Sequence, residues 1–197
     1  MSQTLRALQL LRPLAVAFAF AGVLSSPARP LAAEDKAAPP PDDAEIAHIV
    51  VTANQVDIGA GELAKSKASG KEVKEFAQRM IIDHTAANRS ATDLAKKLSL
   101  TPKDNATSRS LAQGGESNRA ALSKLSGAAF DRAYVDHEVI YHQQVLDAID
   151  QVLSPNAKNP ELKALIANVR PVIASHLQHA KMIQTQLAGG APPTGSH

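Results

Sequence analysis

Five polar residues stand where helical periodicity places apolar ones. His84 has Val73, Phe76, Ala77 and Met80 before it and Ala87, Ala91 and Leu94 after it, at spacings that put all of them on one stripe. His176 lies between Ile173, Ala180 and Ile183, and Asp57 lies between Ala53 and Ala60. Glu138 and His142 are one turn apart, with Tyr134 and Tyr141 beside them. Burying such groups without partners is costly, so they either pair with one another or bind something. Two carboxylates for charge and three imidazoles for neutral nitrogen donors suit a transition metal such as Fe, Mn, Zn or Cu.

The rest of the composition narrows the chemistry to these side chains. The 197 residues include no Cys and no Trp, which removes disulfides, zinc ribbons, thiol nucleophiles, iron-sulfur ligation and c-type haem attachment. Any metal must therefore sit on His, Asp or Glu. The chain contains no G-x-G-x-x-G, no phosphate loop and no G-x-S-x-G elbow, so nucleotide binding and serine hydrolysis have no motif.

The elements that must position the five are helices. Ile46, Ile49, Val50, Ala53, Val56, Ala60, Leu63 and Ala64 form one stripe, predicting a helix over about 43–69 with Asp42 or Asp43 as its N-cap. A second stripe, running from Val73 to Leu98, predicts a helix that ends before Pro102, and the short break at Ser69-Gly70 makes the pair an antiparallel hairpin. Residues 103–126 have sparse apolar positions and are interrupted by Gly114-Gly115, which predicts a crossover holding one broken helix. Two further helices follow over about 128–153, stopped by Ser154-Pro155-Asn156, and over about 160–188, with a kink at Pro171. The fold class is all-α: two long hairpins joined by a crossover, the plan of a ferritin-like four-helix bundle, with the domain spanning 43–188.

Height along such a bundle decides which residues can meet. Asp57 and His84 are each about 13.5 residues from the first hairpin turn, roughly 20 Å at the helical rise, so they sit level. Glu138 and His176 are each about 19 residues from the second turn, and His142 is about one turn nearer to it. The spacing lacks the doubled Glu-x-x-His of a di-iron site, because positions 81 and 173 are both Ile. The plainer reading is a structural network in which Asp57 orients His84 and Glu138 orients His176. His179 is a boundary residue within reach of His176, His137 faces the crossover, and His48 and His197 are solvated. Tyr134, Tyr141 and Phe130 are packing bulk.

Residues 1–33 read as a secretory signal peptide. Arg6 and Arg12 precede a charge-free apolar run from Pro13 to Leu24, too short to span a bilayer, and small residues offer cleavage after Ala28 or Ala33. The formal charge of +2 belongs to this segment: removing Arg6, Arg12 and Arg29 from the 21 basic residues leaves 18 against 19 acidic ones. With no basic cluster longer than Lys96-Lys97 in the remainder, nucleic acid is not an expected partner. Beyond residue 24 no apolar run approaches the ~20 residues of a spanning helix. The Pro-rich 34–42 and the tail 189–197 have nothing to bury and are expected to be disordered.

Several of these stretches are shared with a known family. Phe76-Ala-Gln-Arg-Met-Ile-Ile-Asp-His-Thr85, Val56-Asp-Ile-Gly-Ala-Gly-Glu-Leu-Ala64, Ser126-Gly-Ala-Ala-Phe-Asp-Arg-Ala-Tyr134, His142 and His176 resemble the exported bacterial proteins grouped as domain of unknown function 4142, a ferritin-like family. The resemblance covers nearly all of 44–188. It implies a periplasmic or outer-membrane-associated helical bundle with no established activity, and at the position of Asp57 the family usually carries Glu. The expectation is an exported bundle binding a transition metal or small ligand at Asp57, His84, Glu138, His142 and His176. Its alternative is a structural or stress-response envelope protein whose polar core is purely structural. An oxygen- or peroxide-handling enzyme is a third option.

Overall fold

The computed structural model describes residues 39–189. The signal-peptide reading, the lead-in up to residue 38 and the tail from residue 190 lie outside the described residues. Among those described there are helices and no strand. Helix α1 is Asp43–Lys67, α2 Lys71–Lys97, α3 Ala106–Ser123, α4 Gly127–Ala148, α5 Ser154–Asn156 and α6 Pro160–Gly189. The chain is all-α.

The first hairpin follows from its ends. Asp42 is the N-cap of α1 in a reciprocal capping box: Glu45 N donates to Asp42 Oδ1 at 2.9 Å and Asp42 N donates to Glu45 Oε2 at 3.0 Å. Asp43 has a different task, accepting from the backbone N–H groups of Lys158 (2.7 Å) and Asn159 (2.9 Å) at the approach to α6. The three residues between α1 and α2 are held by buried Asp131 of α4, which accepts from Ser69 N at 2.9 Å and Gly70 N at 2.7 Å. That carboxylate caps the start of α2 from another helix, where Gly70 has no side chain to do so.

The end of α2 falls before Pro102 as expected, while two other expectations need correction. Helix α2 stops at Lys97 because Ser99 adopts φ 53° and closes the helix: Ser99 N donates to Lys96 O and Leu100 N to Ala95 O. This is a Schellman ending with Ser in the position usually taken by Gly. The crossover helix α3 is unbroken through Gly114-Gly115. The reason is packing: a Cβ on Gly115 would lie 2.8 Å from both γ-carbons of Val56, so the missing side chain lets α3 lie against α1. Finally, α4 does not end as a regular helix. It passes into a π-helical turn, Ile149–Leu153, and then into α5, where Pro155 occupies a first-turn position that needs no N–H. Helix α6 runs through Pro171 without interruption, and Pro171 is exposed.

The core is in two halves. Ala60, Ala64, Phe76, Ala77, Met80, Phe130, Tyr134, Ala180 and Ile183 pack together near the α1–α2 turn. Ile46, Ile49, Leu146, Ile149, Leu153, Leu162, Ile166 and Leu177 pack at the other end. Gly61 permits close approach of α1 to α2, since a Cβ there would meet Ala77 O and Ile81 Cγ1 at 3.1 Å. Between the halves lies a layer of buried polar residues, contributed by α1, α2, α4 and α6. No described helix is long and apolar enough to cross a membrane.

Candidate metal centre

Each of the four long helices sends one nitrogen- or oxygen-bearing side chain into this layer: Asp57 from α1, His84 from α2, His142 from α4 and His176 from α6. Glu138, one turn before His142, is the fifth. All five are at least 96% buried. The three imidazole rings form a nearly equilateral triangle, with centroids 5.3, 5.4 and 5.6 Å apart. One nitrogen from each ring lies within 4.8 Å of the other two, and Asp57, Glu138 and His142 form a second such group. His142 belongs to both.

The outward-facing nitrogen of each ring is committed to a hydrogen bond that sets its tautomer. His84 Nδ1 lies 2.8 Å from Asn54 Oδ1, and Asn54 is held in that orientation by donating its amide N–H to Val50 O at 3.0 Å. His84 therefore carries its proton on Nδ1. His142 Nδ1 lies 3.0 Å from the backbone carbonyl of Glu138, which can only accept, so its proton is on Nδ1 as well. His176 Nε2 donates to Asp83 Oδ2 at 2.9 Å. What remains are His84 Nε2, His142 Nε2 and His176 Nδ1, all buried with no hydrogen-bond partner. Asp57 Oδ2 lies 3.2 Å from His84 Nε2 and 3.4 Å from His142 Nε2 and is also without a hydrogen bond.

Lone pairs converging without a donor are an electrostatic deficit, and it shows in the titration of these groups. Burial pushes the Asp57 carboxyl well above the usual carboxylate range, and the neighbouring Glu138 adds to this while His142 opposes it. Burial raises Glu138 to about 8, against the pull of the adjacent Tyr134 hydroxyl. Burial drives His84 down to about 3, helped by His142 and His176 and opposed by Asp83. His176 is also lowered, by burial, with its hydrogen bond to Asp83 resisting. For Asp83, burial is outweighed by hydrogen bonds from His176 and Arg79, and its carboxyl is held below the usual range. A cation would answer this arrangement directly: it takes lone pairs from neutral rings and displaces protons from the carboxyls.

All five residues expected from the sequence meet in this layer, with different pairings. Asp57 does face His84, but Glu138 does not orient His176. Glu138 Oε2 lies 3.3 Å from His142 Nδ1, and His176 is oriented by Asp83. His142 is the hub of the layer, not a member displaced toward the second turn. Sequence reasoning passed over Asn54 and Asp83. Asn54 falls three residues before Asp57 and thirty before His84, and the adjacency of Asp83 to His84 in Asp-His-Thr was its available signal. His179 stays apart, edge-on to the Phe76 ring at 5.2 Å. His137 is half-buried against the Tyr141 ring and is lowered to about 4 by burial and by His142. His48, expected in solvent, is half-buried with Nδ1 shielded and unpartnered. His197 lies outside the described residues. Tyr141 and Tyr134 are packed as expected, and the Tyr141 hydroxyl donates to Ala53 O at 2.9 Å.

No curated protein matches the chain. Among solved structures, CopM in the Cu(II)-bound form is similar, with a TM-score of 0.57 and 18% sequence identity over 74% of this chain and 98% of that one. At that identity the likeness is one of fold. The model of the family described as Domain of unknown function (DUF4142) matches residues 27–183, and the chain belongs to that family.

Proposed function

We propose that the protein is an exported, ferritin-like four-helix bundle that holds a transition-metal ion in its mid-bundle polar layer. Asp57, His84, His142 and His176 are the ligands, with Glu138 the second carboxylate in reach. The observation that carries this reading is the convergence of His84 Nε2, His142 Nε2 and Asp57 Oδ2, three buried atoms without a hydrogen-bond partner, while the opposite nitrogen of each ring is tied to Asn54 or to the Glu138 carbonyl. Fixing the far nitrogen of a ligating imidazole is how proteins orient metal-binding histidines. Three nitrogens and a carboxylate suit Cu(II) or Zn(II) by donor type, and divalent affinity rises toward Cu(II). The fold neighbour that binds Cu(II) makes copper the first ion to test. Export rests on the basic, then apolar, then small-residue N-terminal segment, which precedes most of the family match at 27–183.

Periplasmic expression with metal analysis tests both parts. The expected product begins at Arg29 or Glu34, carries about one equivalent of metal, and melts higher when Cu(II) or Zn(II) is restored after chelation, by about 2.7 kcal/mol of stability at a hundredfold excess over Kd. Less than about one tenth of an equivalent, with melting unchanged by Fe, Mn, Zn or Cu, overturns the metal reading.

A structural reading has one observation in its favour: burial raises Glu138 to about 8, so that near neutral pH this carboxyl keeps a proton it can donate. In that reading the chain is an envelope protein whose layer only sets helix register. Replacing His84 and His176 by Leu then changes stability without removing any bound ion.

A further inference from the structure

A cavity of about 540 Å3 adjoins the histidine triangle, with His84 and His176 in its lining, while Asp57, Glu138 and His142 are not part of that lining. Its volume falls within the roughly 300–1,000 Å3 of pockets that hold drug-sized molecules. A π-helical turn and a proline within a helix border it. The π-helical turn contributes Ile149, Val152 and Leu153, and on α6 Val169, Val172 and Ile173 bracket Pro171. Single π-helical turns recur at functional sites, and a proline inside a helix frees the carbonyl four residues earlier. The two are lashed to each other by Arg170, which donates through Nε and Nη2 to the two Asp150 oxygens at 2.6 Å each. Val152 and Val172, on these two segments, are among the few large apolar side chains left exposed, at 36% and 43%.

The charge of the lining defines the ligand. Arg79 and Asp83 are its only charged residues, and they are already paired at 3.2 Å, with Asp83 also accepting from His176. A charged molecule entering would lose water and find no free counter-charge. An apolar body loses little and gains contact with aliphatic walls. We propose that this cavity binds an uncharged, largely apolar small molecule of about the size of a two- or three-ring aromatic. The molecule lies between the π-helical turn and α6, with its inner end against His84 and His176. The site is additional to the metal centre and does not require it.

The test is a fluorescence titration of the full chain, in the presence of a chelator, with N-phenyl-1-naphthylamine, an uncharged dye that brightens in apolar surroundings. Saturable binding of one dye per chain is expected. Two alanines of the lining, Ala87 and Ala148, are replaced separately as A87F and A148F to fill the space from α2 and from α4. Each is expected to weaken binding at least tenfold while melting cooperatively, and if one fails to fold the other decides. The anionic dye 8-anilinonaphthalene-1-sulfonate is expected to bind at least tenfold more weakly than the neutral one. The proposal is overturned by the absence of saturable binding, by a folded filled variant that binds within twofold of the parent, or by equal affinity for the anionic dye. Because the titration contains no free metal, failure here leaves the metal centre standing, and a failed metal analysis leaves this site standing.

Discussion

Asn54 Oδ1 lies 2.8 Å from His84 Nδ1 and turns the other ring nitrogen of His84 toward Asp57. Two residues on α1, one turn apart, thus place and face the same ring on α2. If His84 ligates a metal, Asn54→Ala leaves all the ligands in place and removes only what orients one of them. Losses of about 10–100-fold in affinity are typical for such partners. A competition titration against a chelator of known affinity measures it, and Asn54→Asp, which keeps the acceptor oxygen, is expected to recover most of the loss. An N54A protein that binds as tightly as the parent would show that the ring is oriented by its packing alone.

Glu138 makes the metal-free protein sensitive to pH in a defined direction. Its folded-state value is raised to about 8 from the ordinary 4.5, so between these values the folded chain keeps a proton that the unfolded chain has released. Folding stability therefore falls as pH rises through this window. Glu138→Gln is neutral throughout and does not contribute this slope. In thermal melts with a chelator, the stability of E138Q relative to the parent is expected to increase from pH 5 to pH 8. A difference that stays constant across the range would mean that Glu138 ionises normally in the folded state. His84 acts with the opposite sign, since its lowered value costs stability as pH falls from 6.5 toward 3, so the Glu138 slope stands alone only above about pH 6.5.

Gly114 and Gly115 are adjacent in α3 and should respond oppositely to the same substitution. Gly114 has nothing within 4 Å of an added Cβ, so Gly114→Ala gains helix propensity, about 0.5–1 kcal/mol. Gly115→Ala drives its methyl to 2.8 Å from the Val56 γ-carbons and costs about 1–3 kcal/mol through overpacking. Urea unfolding of the two variants checks both signs at once. Equal effects would mean that α3 shifts freely along α1.

The same pair of glycines marks where sequence reasoning stopped short. Local propensity counts Gly-Gly as a break, and only the approach of α1 reveals that one of them makes a tight contact possible. The apolar stripes and the two hairpin turns were legible, and counting residues from the first turn placed Asp57 level with His84, as observed. The same counting set His142 one turn too near the second hairpin turn because it located the Cα and not the ring. Helical side chains lean toward the N-terminus of their own helix. The His142 ring leans back far enough for Nδ1 to reach the Glu138 carbonyl at 3.0 Å, and that lean cancels the offset. Asp83 was illegible for a related reason. It lies beside the stripe, half-exposed, and its role comes from His176, 93 residues away on α6. The π-helical turn has no periodicity signature, since it lies inside an otherwise helical run.

The polar layer separates two apolar halves, and its members come from both hairpins: Asp57 and His84 from the first, Glu138, His142 and His176 from the second. In a chain without cysteine, an ion gripped there would be a removable cross-link between the two hairpins, tying residues 57 and 176 together as a disulfide might. Metal supply would then govern how long the fold survives proteolysis or heat, and a loaded molecule would outlast an empty one with an identical sequence.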